Sequence, residues 1–199
     1  MKKIKHKIIF IFIPIIVLVS SSVAQINVNS VSFGFGIIHP FGSFHENEYV
    51  FYPELRIIGR CFLSYLDWST YWGYSDDRVD EVRYTDAIVY SARTNIIGGR
   101  IAFTPARALK HWILPITIFG GISHHFISLK YIGGGDYDGN IGYDHNIGSN
   151  TLELGLKVYY IIVEPIEIQA EAHQFFGLGN DRWRHKGRRA YTLGIAIAI

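Results

Sequence analysis

The chain has 199 residues, one Cys and a formal net charge of +2 at pH 7. The single Cys61 excludes an internal disulfide framework, and so small a charge gives no reason to expect a nucleic-acid partner. The 20 glycines, the 15% aromatic content and the 18% charged content are typical of an all-β chain.

Residues 1–24 predict a cleaved secretory signal peptide. A basic start (Lys2, Lys3, Lys5, Lys7) precedes an apolar run at residues 8–19, and Ser22-Val23-Ala24 supplies the small residues that a signal peptidase reads. The apolar run is too short to cross a bilayer. Without this segment 15 Lys+Arg oppose 17 Asp+Glu, so residues 25–199 carry a charge of −2 and form, we predict, one domain.

Alternation with a period of two begins at residues 28–38, where large apolar residues alternate with Ser and Gly. Three later segments predict hairpins with short turns, near residues 64–66, 104–111 and 164–166. Longer polar connections alternate with them, at residues 39–48, 75–85, 132–149 and 178–188. Counting the segments predicts eight strands, with both chain ends at the short-turn end.

The two strand faces are clearest in residues 151–173. One face carries Leu, Val and Ile, and the other carries Glu, Lys, Thr and His. Such a pattern fits a membrane barrel with its apolar row outward, or a soluble lipocalin-like barrel with that row inward. The small, uncharged second faces of the first and last strands, and the aromatic residues near strand ends, favour the membrane arrangement.

The last strand ends the chain with Tyr191, Leu193, Ile195, Ile197 and Ile199 on one face and Thr192, Gly194, Ala196 and Ala198 on the other. With this strand above all, the chain resembles the small eight-stranded outer-membrane β-barrels of the OmpA/OmpX/OmpW-like superfamily. Their last strand carries an assembly signal whose polar and Gly positions are matched by Thr192 and Gly194, while Ile197 and Ile199 stand at its aromatic positions.

The resemblance implies a closed, antiparallel, up-and-down transmembrane β-barrel with short periplasmic turns and four longer outer loops. It implies a monomer in the outer membrane of a Gram-negative cell envelope, with lipid and lipopolysaccharide as surroundings and the barrel-assembly machinery as a partner during biogenesis. It leaves the activity open, because such barrels include inert anchors, adhesins, narrow pores and lipid enzymes.

Nine ionisable residues have inward parity, and an eight-stranded barrel is just wide enough for its interior to be filled by side chains. Because unpaired buried charges are strongly disfavoured, we predict a hydrogen-bonded network that plugs the lumen; a narrow ion path is the alternative. A turn at residues 164–166 would place Lys157 opposite His173 and diagonal to Glu171. The predicted network is Glu54, Arg56, Arg60, Arg100, Glu153, Lys157, Glu167, Glu171 and His173.

Two other segments invite catalytic or metal chemistry without fitting it. Some small outer-membrane barrels are lipid A deacylases with His and Ser two residues apart; here His125 and Ser128 have opposite parity, and His124 and Ser128 lie roughly 13 Å apart. We expect two histidines at the membrane interface and no enzyme.

Residues 136–140 resemble the start of a calcium loop, but Ile141 and Ile147 replace its Gly and Glu, so no metal or cofactor is expected.

A basic run in the last outer connection is the candidate for lipopolysaccharide contact, since Arg suits phosphate; the alternative is a solvated loop. The run comprises Arg182, Trp183, Arg184, Lys186 and Arg188.

The sequence thus predicts a structural or interaction protein of the outer membrane. A narrow pore is the alternative function, followed by a lipid A-modifying enzyme.

Overall fold

The computed structural model describes residues 28–39, 49–61, 63–83, 86–109, 114–134, 144–178 and 188–199. These residues form a closed, antiparallel, up-and-down barrel of eight strands, in which each strand pairs with its sequence neighbours and the last pairs with the first. The strands are β1 (Val28–Ile38), β2 (Val50–Arg60), β3 (Leu66–Arg83), β4 (Asp86–Phe103), β5 (Ile116–Gly134), β6 (His145–Val163), β7 (Ile166–Gly177) and β8 (Arg188–Ala198), and one helical turn, α1 (Pro105–Ala108), joins β4 to β5. The predicted barrel and strand count are confirmed. No helix among the described residues has the length and apolar character needed to cross a membrane.

The apolar face of each strand points away from the barrel axis. On β6, Leu154, Leu156 and Val158 are 51%, 52% and 50% exposed, and Phe33 on β1 is 50% exposed. Their sequence neighbours point inward, and Glu153 is fully buried. This orientation excludes the lipocalin-like alternative, because a lipocalin-like barrel would bury its apolar row. An exposed apolar belt of this extent is what a barrel surrounded by hydrocarbon requires.

The barrel closes where β1 pairs with β8, from Ser30 opposite Ala198 to Ile38 opposite Ala190. Following paired residues around the sheet from Ser30 ends at Arg188, ten positions before Ala198. This stagger sets the tilt of the strands. The backbones approach closely at the seam, since a Cβ at Gly36 would lie 1.8 Å from the carbonyl oxygen of Tyr191.

Two predicted connections are wrong in length. Residues 75–85 do not form a long loop, because β3 and β4 continue until Arg83 pairs with Asp86. The connection predicted at residues 132–149 is shorter, since β5 ends at Gly134 and β6 begins at His145. On β5 the alternation continues beyond Phe126 with its sense reversed, since Ile127 and Leu129 are buried and Ser128 and Lys130 are exposed. The outward apolar row that predicts a strand is therefore missing there.

The four central strands therefore reach beyond the rest of the barrel at one end. Strands β3 to β6 have 18, 18, 19 and 19 residues, whereas β1, β2, β7 and β8 have 11 or 12. We call residues 74–83, 86–95, 126–134 and 145–150 the extension. Its inner side holds a buried apolar cluster of Tyr90, Ala92, Ile127 and Leu129.

The predicted register between β6 and β7 is wrong by two residues. The turn contains only Glu164 and Pro165, and the ladder shifts between Ile161 and Val163, as expected for a bulge. Lys157 consequently lies opposite Glu171 rather than His173.

Candidate functional site

A compact group of ionisable side chains fills the barrel interior. The side chains come from four strands and meet because the ladders bring their inward positions to a similar height. All are buried, with Arg56 the most accessible at 6% exposure. We call this group the lumen cluster: Glu54 and Arg56 on β2, Arg100 on β4, Glu153 on β6, and Glu171 and His173 on β7.

Arg56 joins the carboxylates of two different strands. Its Nε donates to Glu54 Oε1 at 3.0 Å, and its second terminal nitrogen donates to Glu171 Oε2 at 2.6 Å. Each carboxylate makes one further ion pair with the same guanidinium. The planar guanidinium suits this arrangement because its N–H groups can serve two carboxylates at once.

Arg100 lies at the centre of the cluster. Its terminal nitrogens approach Glu153 at 2.7 Å, Glu54 at 3.0 Å and Glu171 at 3.3 Å. The guanidinium carbon lies 3.8 Å from the centre of the Tyr71 ring and 4.9 Å from that of Phe119. Arg100 therefore gains cation–π contacts in addition to three ion pairs.

Glu153 receives the remaining contacts of the cluster. Tyr71 Oη donates to it at 2.7 Å, and His173 Nδ1 pairs with its other oxygen. Phe119 lies against Gly155, where an added Cβ would be 2.3 Å from the ring, so the glycine makes room for this aromatic wall. Tyr52 closes the opposite side by donating to Glu54 at 2.9 Å.

The ionisable groups of the lumen cluster are paired with one another. Each carboxylate has at least two cationic or hydroxyl partners, as burial of ionised groups requires. Removal of one cation would leave buried anions unpaired, so the cluster ties β2, β4, β6 and β7 together across the lumen. Within the described part of the chain, no three His, Cys, Asp or Glu side chains are placed so that they could hold a metal ion together.

On the side of the extension the interior is filled by aromatic and apolar groups. A buried layer lies between the ion pairs and the extension and consists of Tyr52, Tyr71, Ile96 and Phe175. His125 is also 0% exposed and lies within hydrogen-bond distance of Ser123 and Thr151, both at 3.2 Å. The prediction of two interface histidines is therefore wrong for His125, because its inward parity places it in the lumen, whereas His124 points outward to Asn150.

Arg188 is a buried residue. It is 1% exposed, and its Nε donates to the carbonyl oxygen of His39 at 2.8 Å. Its assignment to lipopolysaccharide contact is wrong, because β8 begins at this residue and turns its side chain inward. Arg182, Trp183, Arg184 and Lys186 lie outside the described residues, as does the Gly-rich segment at residues 135–143.

Toward the short-turn end the ionisable groups are separate pairs. Lys157 lies 3.5 Å from Glu167, and both are partly exposed. Arg107, on α1, donates to both oxygens of Asp67 at 2.9 and 2.7 Å. Arg60 shares the parity of Arg56, but it is exposed at the last position of β2 and lies outside the cluster.

Tyr52, Tyr71 and the Asp67–Arg107 pair are not among the site residues predicted from the sequence. The parity of the two tyrosines was an available signal, since they share the inward face with Glu54 and Ser69. Arg107 carried no such signal because it lies in a turn. In the closing strand, Thr192 is buried, whereas Ile197 and Ile199 point outward at 51% and 83% exposure.

The barrel and its filled interior define a class: the chain has the fold of the small eight-stranded outer-membrane β-barrels. Neisserial surface protein A matches with a TM-score of 0.58 and 11% identity over 88% of this chain and 100% of its own. The β-barrel domain of Pseudomonas aeruginosa OprF matches with a TM-score of 0.51 and 14% identity, again over 88% and 100%.

A third solved structure is the attachment invasion locus protein Ail of Yersinia pestis, in complex with the heparin analogue sucrose octasulfate. It matches with a TM-score of 0.52 and 10% identity over 88% of this chain and 100% of its own. No protein family matches the sequence, and no curated protein matches it significantly. At identities this low, the structural similarity establishes the shared fold alone.

Proposed function

We propose that this chain is an outer-membrane β-barrel protein of structural or interaction type, without enzymatic activity, whose lumen is plugged. In this proposal residues 1–24 direct export, the apolar belt anchors residues 25–199 in lipid, and the short turns face the periplasm. The extension and the outer loops then form the surface offered to the outside.

The observation that carries the proposal is the self-contained bonding of the lumen cluster. Arg56 and Arg100 together contact Glu54, Glu153 and Glu171, which leaves their terminal nitrogens engaged within the protein. The buried apolar layer beside it contains Tyr52, Ile96 and Phe175. Ions crossing the barrel would have to break several charge-assisted bonds and pass this layer.

Conductance in a planar lipid bilayer tests the proposal. We expect no current steps above those of protein-free lipid. Insertion of each preparation is checked by its mobility on a gel before and after boiling, because a folded barrel resists unfolding until heated. Reproducible current steps from folded protein would instead establish the narrow pore.

Contact with lipopolysaccharide belongs to the same proposal and rests on Arg182, Trp183, Arg184 and Lys186. Three cations around one Trp suit phosphate-bearing lipid heads at the membrane surface. Replacing Arg182, Arg184 and Lys186 by Glu should weaken retention by vesicles that contain lipopolysaccharide. The same replacement by Glu at Arg93, an exposed residue paired with Asp76, serves as the control. Equal retention of the triple variant and the parent would disprove this contact.

A further inference from the structure

We propose that the outer wall of β7 and β8 binds one lipopolysaccharide molecule, whose phosphate contacts Arg189 and Gln174 while one acyl chain lies over Ala170 and Ala172. This site rests on the proposed function, in which the long-loop end of the barrel meets the outer leaflet. It adds a binding site on the barrel wall, separate from the contact proposed for residues 182–186.

The first observation is an apolar groove along the outer face of β7. Its floor is formed by Ala170 and Ala172, which are exposed. Its walls are the larger residues that pair with these two alanines on β6 and β8: Val158, Leu156, Leu193 and Tyr191. Since β6 and β8 lie roughly 9–10 Å apart across β7, the space above the alanines admits an acyl chain.

The second observation is a cation at the outer end of this groove. Arg189 is exposed on β8, and its Nε donates at 3.3 Å to Oε1 of Gln174, the next outward residue of β7. No carboxylate pairs with Arg189 in the part of the chain that the structure describes. Arg93 on β4 differs, because this exposed arginine is paired with Asp76. The terminal nitrogens of Arg189 are therefore available to an anion.

The third observation is the depth of Arg189 and Gln174 in the apolar belt. Beyond Gln174 on the same face, Phe176 and Leu178 are 42% and 56% exposed. Tyr191, the next outward residue of β8, is 43% exposed. A charge among apolar outer faces is costly without an anionic partner. The phosphates of lipid heads are the anions that a bilayer supplies at this boundary.

Polar residues lie in one row across β7, β8 and β1 at this depth. Gln174 pairs with Arg189 in the ladder, and the backbone N–H of His39 donates to the Arg189 carbonyl oxygen at 2.8 Å. Because Gln174 accepts the bond from Arg189 through its oxygen, its amide N–H groups can donate to a ligand. A guanidinium beside an amide donor suits the oxygens of a phosphate.

The groove and the cation are continuous. Ala172 and Ala170 are the next two outward residues of β7 after Gln174, and the three residues span roughly 13 Å at about 3.3 Å per residue. A lipid whose phosphate contacts Arg189 would therefore place an acyl chain directly over the two alanines.

Native mass spectrometry of the folded protein in a neutral detergent tests the site, with diphosphoryl lipid A as the probe. Arg189→Gln should bind this probe about tenfold more weakly than the parent, as expected for the loss of a charge-assisted hydrogen bond. Arg93→Gln is the matched control and should stay within about twofold of the parent. Dephosphorylated lipid A should bind the parent and Arg189→Gln equally. Equal affinities of the parent and Arg189→Gln for the diphosphoryl probe would overturn the proposal.

Filling the groove tests the position of the acyl chain. Ala172→Leu should weaken binding at least about fivefold, since the leucine side chain displaces acyl methylene groups from the wall. Thr70→Leu, at an exposed position on the opposite side of the barrel, is the control and should bind like the parent. Unchanged affinity of Ala172→Leu would overturn the proposal. In a Cys61→Ser background, disulfide-linked dimers of Ala172→Cys that persist at saturating lipid A would also overturn it, because a second copy would then occupy the groove.

Failure of this site can be distinguished from failure of the proposed function. Weaker vesicle retention of the variant at Arg182, Arg184 and Lys186, with unchanged lipid A binding by Arg189→Gln, would refute this site and leave the loop contact standing. Tenfold weaker binding by Arg189→Gln, together with current steps in a planar bilayer, would support this site and refute the plugged lumen.

Discussion

At the scale of single residues, the interior depends on Arg100, which contacts three carboxylates and lies between two aromatic rings. Parity in the sequence correctly indicates that Arg100 faces inward. It does not indicate which carboxylates Arg100 meets, because these lie on β2, β6 and β7 and are selected by the stagger of the sheet. Lys157 illustrates this limit of sequence parity. The bulge between Ile161 and Val163 places Glu171 opposite Lys157, where the sequence predicted His173.

Replacing Arg100 by Met should lower the free energy of unfolding by roughly 3–5 kcal/mol, because it leaves buried carboxylates without their shared cation. Lys157→Met is the control, with an expected loss below about 1 kcal/mol for a partly exposed pair. Urea titration of both variants in the same detergent measures the difference. Equal midpoints for the two would contradict the central role of Arg100.

At the scale of elements, the barrel wall is taller on one side because β3 to β6 are longer than the other four strands. The sequence predicts a strand where one face meets lipid, since hydrocarbon demands an apolar residue at every second position. It fails beyond the apolar belt, where Asp76 and Arg93 face outward on paired strands. The sequence therefore predicts a loop at residues 75–85, where β3 and β4 continue until Arg83 pairs with Asp86.

The buried cluster of the extension should give it a stability separate from that of the barrel. Leu129→Ala removes a side chain that is 1% exposed, which costs about 2 kcal/mol or more. Amide hydrogen exchange in the extension should then accelerate about 30-fold, while the barrel strands stay protected. Its neighbour Ser128, which points outward, provides the control in Ser128→Ala. Uniform acceleration in all strands would show that the extension has no independent stability.

At the scale of the whole molecule, closure depends on two short strands with small inward residues. The closed barrel implied by the resemblance requires the first and last strands to pair, and β1 pairs with β8. The sequence shows the small face, but it cannot show which glycine is needed for close approach, because that depends on the spacing of the two backbones. Gly36 would clash with backbone if it had a Cβ, whereas a Cβ at Gly34 would lie 3.5 Å from the nearest atom.

Gly36→Ala should therefore impair closure, and Gly34→Ala should not. Gel mobility without boiling measures the folded fraction of each variant in membrane extracts. We expect the fast, folded band to be strongly reduced for Gly36→Ala and retained for Gly34→Ala. A full folded band for Gly36→Ala would show that the seam tolerates a wider spacing.

The seam also governs how the chain must reach its native state. Seven of the eight strand interfaces join consecutive strands and can form as local hairpins, but the eighth joins Ser30 to Ala198 across nearly the whole chain. Bringing such distant residues together carries the largest loop-closure entropy. Until both ends meet, β1 and β8 each present an unpaired edge to other chains. Loss of either end strand would thus leave an open, association-prone sheet rather than a barrel smaller by one strand.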